Sequence, residues 1–145
     1  MVIFKEVLRP PIWVLAFIYF LLLSLVIAIW AAFEGLATTY ALFVATAAII
    51  FIAFRMRSTI SITSEELRID GAHIEIKYLG SVEVLDAQSM RLLRTRDADP
   101  AAYLAIKFWI PIGVKIEVKD PRDPTPYWLV TSKRGEEIAA LLSKP

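Results

Sequence analysis

The sequence predicts an α+β chain in two parts, a two-helix transmembrane hairpin followed by a small antiparallel β domain. Three observations predict it. Hydrophobic residues make up 57% of the 145 and mean hydropathy is +0.58, above the roughly 45–50% apolar content of soluble chains. Between Pro10 and Phe54 the only ionisable side chains are Glu34 and the tyrosines Tyr19 and Tyr40. From Ser58 onward the character changes to period-2 alternation, with 12 Lys or Arg against 13 Asp or Glu. A net charge of −1 in that half speaks against a nucleic-acid partner. Cysteine is absent, which excludes disulfides, thiolate metal sites and cysteine nucleophiles. The single histidine, His73, excludes multi-histidine metal sites.

The run Ile12–Phe33 contains 22 residues and no charge; at about 1.5 Å per residue it spans roughly 33 Å, enough for a hydrocarbon core of about 30 Å. A second apolar run, Leu36–Phe54, follows after only Glu34 and Gly35. Two spans so close together form a tight hairpin, with glycine supplying the turn and Glu34 keeping it in water or headgroups. A cleaved signal peptide would have a shorter apolar region and no second span directly behind it. Lys5 and Arg9 precede the first span, Arg55 and Arg57 follow the second, and the turn carries no Lys or Arg. The excess of positive charge outside the turn places both termini in the cytoplasm. Small residues crowd the second span (Ala37, Thr38, Thr39, Ala41, Ala45, Thr46, Ala47 and Ala48). Close packing within the hairpin is their expected use.

These assignments make residues 1–57 the hairpin unit, with spans at about 12–33 and 36–54, and residues 58–145 a cytoplasmic β domain. Alternation marks seven strands, around Ile60/Ile62, Leu67/Ile69, Ile74/Ile76/Tyr78, Val82/Val84, Leu104/Ile106/Phe108, Val114/Ile116/Val118 and Tyr127/Leu129/Thr131. Turn chemistry separates them, and Asp70-Gly71 is a strong hairpin signal by itself. A short inserted helix is expected over Asp86–Thr95 with Asp86 as its cap. A closing helix is expected from about Lys133 to Ser143, capped by Ser132, with Ile138, Leu141 and Leu142 at helical spacing. About seven strands closed by a C-terminal helix is the arrangement of pleckstrin-homology-like (PH-like) domains, an analogy of architecture that carries no activity.

The segments Arg96–Tyr103 and Asp120–Val130, the latter containing the run DPTPYWLV, combine with Arg9-Pro10-Pro11 and the hairpin. Together they resemble an actinobacterial family of small membrane proteins known as domain of unknown function family 3093, and the resemblance covers nearly the whole chain. It implies a bacterial plasma-membrane protein with two spans. It brings no activity, so it lends no catalytic residue.

Three constellations carry candidate chemistry. The aspartate turns Asp97/Asp99 and Asp120/Asp123 offer oxygen ligands of the kind Mg²⁺ or Ca²⁺ takes, but an Asp beside a proline more often shapes a turn by accepting backbone N–H groups. Arg91, Arg94 and Arg96 would suit anionic lipid headgroups near a membrane, although neighbouring aspartates balance them. In the aromatic cluster Phe108, Trp109, Ile110, Tyr127 and Trp128, alternation sends one member of each adjacent pair inward and leaves the other free for a partner. His73 reads as an unremarkable exposed imidazole. One histidine and no nucleophile elbow give no support to a hydrolase triad.

The expected function is therefore a non-enzymatic protein-interaction or scaffold module at the inner leaflet, without cofactor or metal. Its contacts are expected on the edge Arg122, Asp123, Tyr127 and Trp128, and its partners are the bilayer and a membrane or membrane-associated protein, with self-association left open. The alternative is an anionic-lipid headgroup sensor using Arg91, Arg94 and Arg96. A divalent-metal-dependent enzyme working through the aspartate turns ranks third.

Overall fold

The computed structural model describes residues 2–33 and 35–143. The chain divides into two compact units. One is Leu8–Ser58; the other joins the residues up to Val7 with those from Thr59 onward. The boundary expected at residue 57 is thus incomplete, because the N-terminal segment belongs with the β domain and not with the hairpin.

In the helical unit, α1 (Ile12–Ala32) and α2 (Leu36–Arg55) match the two apolar runs to within a residue at one end. Both are long and apolar enough to cross a membrane, with mean hydropathies of 2.9 and 2.1 over their most apolar stretches. Gly35 takes φ +79° ahead of α2, a conformation that glycine adopts at no steric cost. Glu34, expected to keep the turn wet, lies outside the described residues. The helices pack on each other, and the Tyr19 and Thr46 hydroxyls share a hydrogen bond of 3.1 Å. Ala45 is buried while Ala41, Thr46 and Ala48 are half-buried; Ala37, Thr39 and Ala47 are exposed. Only part of the small-residue set therefore serves the hairpin. Most of the large apolar side chains point outward, including Trp13, Phe17, Trp30, Tyr40, Phe43 and Phe51. So much contiguous apolar surface suits lipid and not water.

The β unit holds two four-stranded sheets. The first runs β1-β2-β3-β4, built from Val2–Leu8, Ser58–Thr63, Glu66–Ile69 and Ala72–Glu75. The second runs β5-β7-β8-β6, built from Leu79–Leu85, Gly113–Val118, Tyr127–Thr131 and Tyr103–Ala105. All seven expected strands are present, with β1 as an eighth. Strand β1 alternates like its neighbours, with Phe4, Glu6 and Leu8 buried. Burial in β2 follows the same period, through Ser58, Ile60 and Ile62. In β3 and β4 the inward residues are Leu67, Ile69 and Ile74.

Three local expectations change. The third stretch of alternation stops at Glu75, and Ile76–Tyr78 forms a 3₁₀ turn that leads into β5. Strand β6 is only three residues long and pairs with β8 in parallel, so the sheet is not wholly antiparallel. Every residue of β8 is buried. It is a central strand, flanked by β7 and β6 and covered on both faces, so Tyr127 and Trp128 both go inside. A strand buried on both faces reads as a continuous apolar run.

Two helices complete the unit. Helix α3 (Ala87–Arg94) starts at Asp86, whose carboxylate accepts the Ser89 N–H at 2.8 Å. Its Met90 is fully buried in a cluster with Leu85, Tyr127 and Leu129. A Cβ at Gly113 would lie 2.1 Å from the Val130 carbonyl oxygen and 2.3 Å from Met90 Cε, so this position admits only glycine. Helix α4 (Gly135–Leu142) packs on β5 and β7, with Ile138 buried. Ser132 is not its cap, because the helix begins at Gly135 and its flanking residue is Arg134.

Candidate functional site at the linker end of the β unit

The registers give the β unit two ends. In the first sheet Ile60 faces Ile69 at one end and Ile62 faces Leu67 at the other. In the second, Gly113 faces Thr131 and Leu85 at one end, and Glu117 faces Tyr127 at the other. The chain connects to the helical unit beyond Val7 and before Thr59. Strand β2 begins at that linker end, and the Asp70-Gly71 turn sits beside it. The Asp70 N–H donates to the Thr59 carbonyl (2.9 Å) and the Thr59 N–H to the Asp70 carboxylate (2.8 Å).

The far end carries Arg122 and Asp123. Arg122 donates to the Asp120 carboxylate (3.2 Å) and the Tyr78 hydroxyl (3.1 Å), and its guanidinium lies 5.4 Å from the Tyr78 ring centre. Asp123 accepts the Thr125 N–H at 2.9 Å. The Arg122 backbone N–H, then its guanidinium, hold the Asp120 carboxyl below the usual carboxylate range. This end is a set of self-satisfied turns. With Tyr127 and Trp128 buried, the expected contact edge reduces to Arg122 and Asp123.

The other aspartate turn is built in the same way. Asp99 accepts the Ala101 N–H (2.9 Å), and Asp97 pairs with Arg96 at 3.0 Å. That pairing holds the Asp97 carboxyl below its ordinary value. It also takes Arg96 out of the basic set, leaving Arg91 exposed and Arg94 half-buried in the last turn of α3. Among the described residues, no group of three or more Asp, Glu or His converges as a metal site.

The linker end is different. The buried carboxylate of Glu6 on β1 accepts the Ser132 hydroxyl and, at 3.0 Å, the Lys133 N–H; the Ser132 oxygen in turn accepts the Arg134 N–H (3.0 Å). The Arg134 guanidinium stacks 4.5 Å from the Phe4 ring centre and pairs with Glu137. A residue N-terminal to the hairpin thus clamps the connection into α4. Beside it lies a cavity of about 450 Å³, lined by Val84, Leu85, Asp86, Ile112, Gly113 and the stretch 132–137. Val84 and Ile112 are its exposed apolar walls.

Next to the cavity runs the β6–β7 connection. Lys107 Nζ lies 4.0 Å from the Asp70 carboxylate, and the Ile112 carbonyl accepts the Ser132 N–H at 3.2 Å. Phe108 packs edge-on against Trp109, with ring centres 4.9 Å apart. Phe108 is exposed, Trp109 half-buried and Ile110 buried. The Trp109 indole N–H is buried without an acceptor among the described residues. Sequence reasoning flagged Phe108 and Trp109 but not Glu6 or Val84. The signal for Glu6 was its inward place between Phe4 and Leu8 in a short alternating run.

A family model described as "Protein of unknown function (DUF3093)" matches residues 3–142 of the chain. No curated protein and no solved structure matches it.

Proposed function

As a member of that family of unknown function the chain inherits no activity, and we propose that it is a membrane-tethered, non-enzymatic binding module. On this reading the hairpin crosses a bacterial plasma membrane twice, both termini are cytoplasmic, and the β unit is a PH-like domain working at the inner leaflet. The positive residues Lys5, Arg9, Arg55 and Arg57, set against a turn without Lys or Arg, support that orientation. Two sheets and a closing C-terminal helix support the PH-like analogy, although the parallel β6 and the strand ahead of the hairpin depart from it.

The single observation that carries the reading is the cavity at the linker end. Its walls are apolar at Val84 and Ile112, Gly113 lies closely packed in its lining, and its rim presents both charge signs. Only Arg9-Pro10-Pro11 and Met56-Arg57 separate the strands from the helices. Extended, such linkers reach roughly 10 Å at most, so the β unit is confined near the bilayer at high effective concentration. The fitting partner is a bilayer-proximal segment of a membrane or membrane-associated protein. The aspartates at 86, 99, 120 and 123 serve as acceptors for backbone N–H groups, a structural use.

The test is a photo-crosslinking amino acid placed at Val84 or, separately, at Arg122 in the full-length protein in native membranes. A discrete protein adduct from position 84 and none from position 122 is expected. An adduct from position 122 alone would return the contact surface to the far end. No protein adduct from either position would contradict the binding-module reading. The anionic-lipid reading through Arg91, Arg94 and Arg96 is weaker, because Asp97 already holds Arg96.

A further inference from the structure

We infer that the Phe108–Ile112 connection is a second membrane contact, with Phe108 and Ile112 entering the interfacial zone of the bilayer and fixing the orientation of the β unit. The inference rests on the reading that α1 and α2 span a membrane. Its position comes from contacts within the β unit alone. One side of the loop is tied to the start of β2, because Lys107 lies beside Asp70 and Asp70 is hydrogen-bonded to Thr59. The other side is tied to β1, because the Ile112 carbonyl accepts the Ser132 N–H and the Ser132 hydroxyl donates to Glu6. The loop therefore bridges the two places where the chain leaves for the hairpin. Both linkers are short, Arg9-Pro10-Pro11 and Met56-Arg57, so these exits stay within roughly 10 Å of chain from the ends of the helices.

Its chemistry fits that position. Phe108 is 59% exposed although one edge meets Trp109, and Ile112, at the cavity rim, is 39% exposed. Phe and aliphatic side chains form the apolar faces that interfacial segments bury at the headgroup–acyl boundary. The one charge in the loop, on Lys107, is drawn toward Asp70, so immersion requires little desolvation of an unpaired cation. The base of the loop is firm. Thr131 Oγ1 accepts the Lys107 N–H (3.0 Å) and donates to the Ala105 carbonyl (3.3 Å), and the Ile110 N–H closes a turn onto the Lys107 carbonyl (3.0 Å). A rigid loop loses little conformational freedom on insertion.

The chain has no native cysteine, so single-cysteine spin labelling tests this directly. Full-length Phe108→Cys, Ile112→Cys, Asp123→Cys and Phe43→Cys are labelled and placed in bilayers of phosphatidylcholine alone. Each label is then exposed to oxygen, which concentrates in lipid, and to a water-soluble nickel chelate. The oxygen-to-nickel collision ratio is expected to be highest at 43 on α2, several-fold lower at 123, and at 108 and 112 several-fold above that at 123. Ratios at 108 and 112 equal to that at 123, with 43 still lipid-like, would overturn the inference while leaving the membrane span intact. Shielding of 108 from both reagents would overturn it in favour of a protein cover. A water-like ratio at 43 would overturn the membrane reading itself, and the inference with it.

Discussion

The two ends of the β unit are built from the same strands and carry opposite chemistry. At the far end, Glu75 pairs with Lys77, Glu117 with Lys119 and Asp120 with Arg122, and the Arg122 and Thr125 N–H groups are met by the Asp120 and Asp123 carboxylates. At the linker end, apolar Phe108, Ile112 and Val84 are left exposed around a cavity, and the buried Glu6 carboxylate holds the connection into α4. One end has satisfied itself with charge, as a surface facing bulk water does. The other keeps uncovered apolar area, which the proposed contacts would cover. On the proposed reading, conspicuous residues and contact residues separate: the aspartate-rich far end draws the eye, and the quieter linker end carries the proposed contact surface.

The sharpest way to stress this contrast is to compare a buried strand with an exposed loop. Leu129 is fully buried on β8, so Leu129→Ala is expected to cost about 2–5 kcal/mol. Phe108→Ser should change stability in detergent by less than about 0.5 kcal/mol, as exposed positions do. Denaturant unfolding of both variants in the same micelles measures the difference, and a comparable loss at Phe108 would make it a core residue. A smaller effect is expected at the clamp. Glu6→Ala leaves the Ser132 hydroxyl and the Lys133 N–H without their acceptor, at about 1–3 kcal/mol. Glu6→Gln keeps one acceptor and should lose less. Equal losses for the two would show that the clamp depends on charge more than on hydrogen bonding.

Acid should act on both ends. Backbone N–H donors, from Ser89 to Asp86, from Ser81 to Glu117 and from Arg122 to Asp120, hold these carboxyls below their ordinary values. A group whose folded pKa is lowered stabilises the fold above its unfolded value and loses that contribution as pH falls through the folded one. The melting temperature should therefore hold above the ordinary carboxylate range near pH 4 and fall below it. Asp120→Asn is expected to flatten that fall, which a melting series against pH would show. The smallest effect belongs to Arg122→Ala, whose side chain is exposed and whose partner Asp120 keeps the Arg122 backbone N–H. No measurable change in melting temperature is expected, and a clear drop would show that the far end is structurally coupled to the core.

Much of this architecture is written plainly in the sequence. The spans are legible because length and apolar content are local properties, and they emerge within a residue of their expected limits. The strands are legible wherever one face is wet, as in β2 and β7. Strand β8 misleads, because a central strand buries Tyr127 and Trp128 together, and alternation says nothing about strand order. The parallel β6 is equally silent, since its partner is set by a connection through α3 and not by its own three residues. Strand β1 is hidden for two reasons. A glutamate occupies one of its inward positions, and some fifty residues of hairpin separate it from its neighbour β2. The linker end depends on β1, so that end could not be assembled from residues 58–145 alone. The Asp86 cap comes out as its chemistry requires, and the Asp70-Gly71 hairpin forms where expected, although the positive φ (+54°) falls on Asp70 and not on the glycine.

The central claim is that one β unit closes across the hairpin, drawing its first strand from the residues ahead of the first helix. Amide hydrogen exchange of the full-length protein in lipid nanodiscs measures it directly. The amides of Val2–Leu8 that face β2 are expected to be protected, and Glu6→Ala to release them while β7 and β8 stay protected. Exchange across Val2–Leu8 as fast as in the Asp120–Pro126 turn would contradict it.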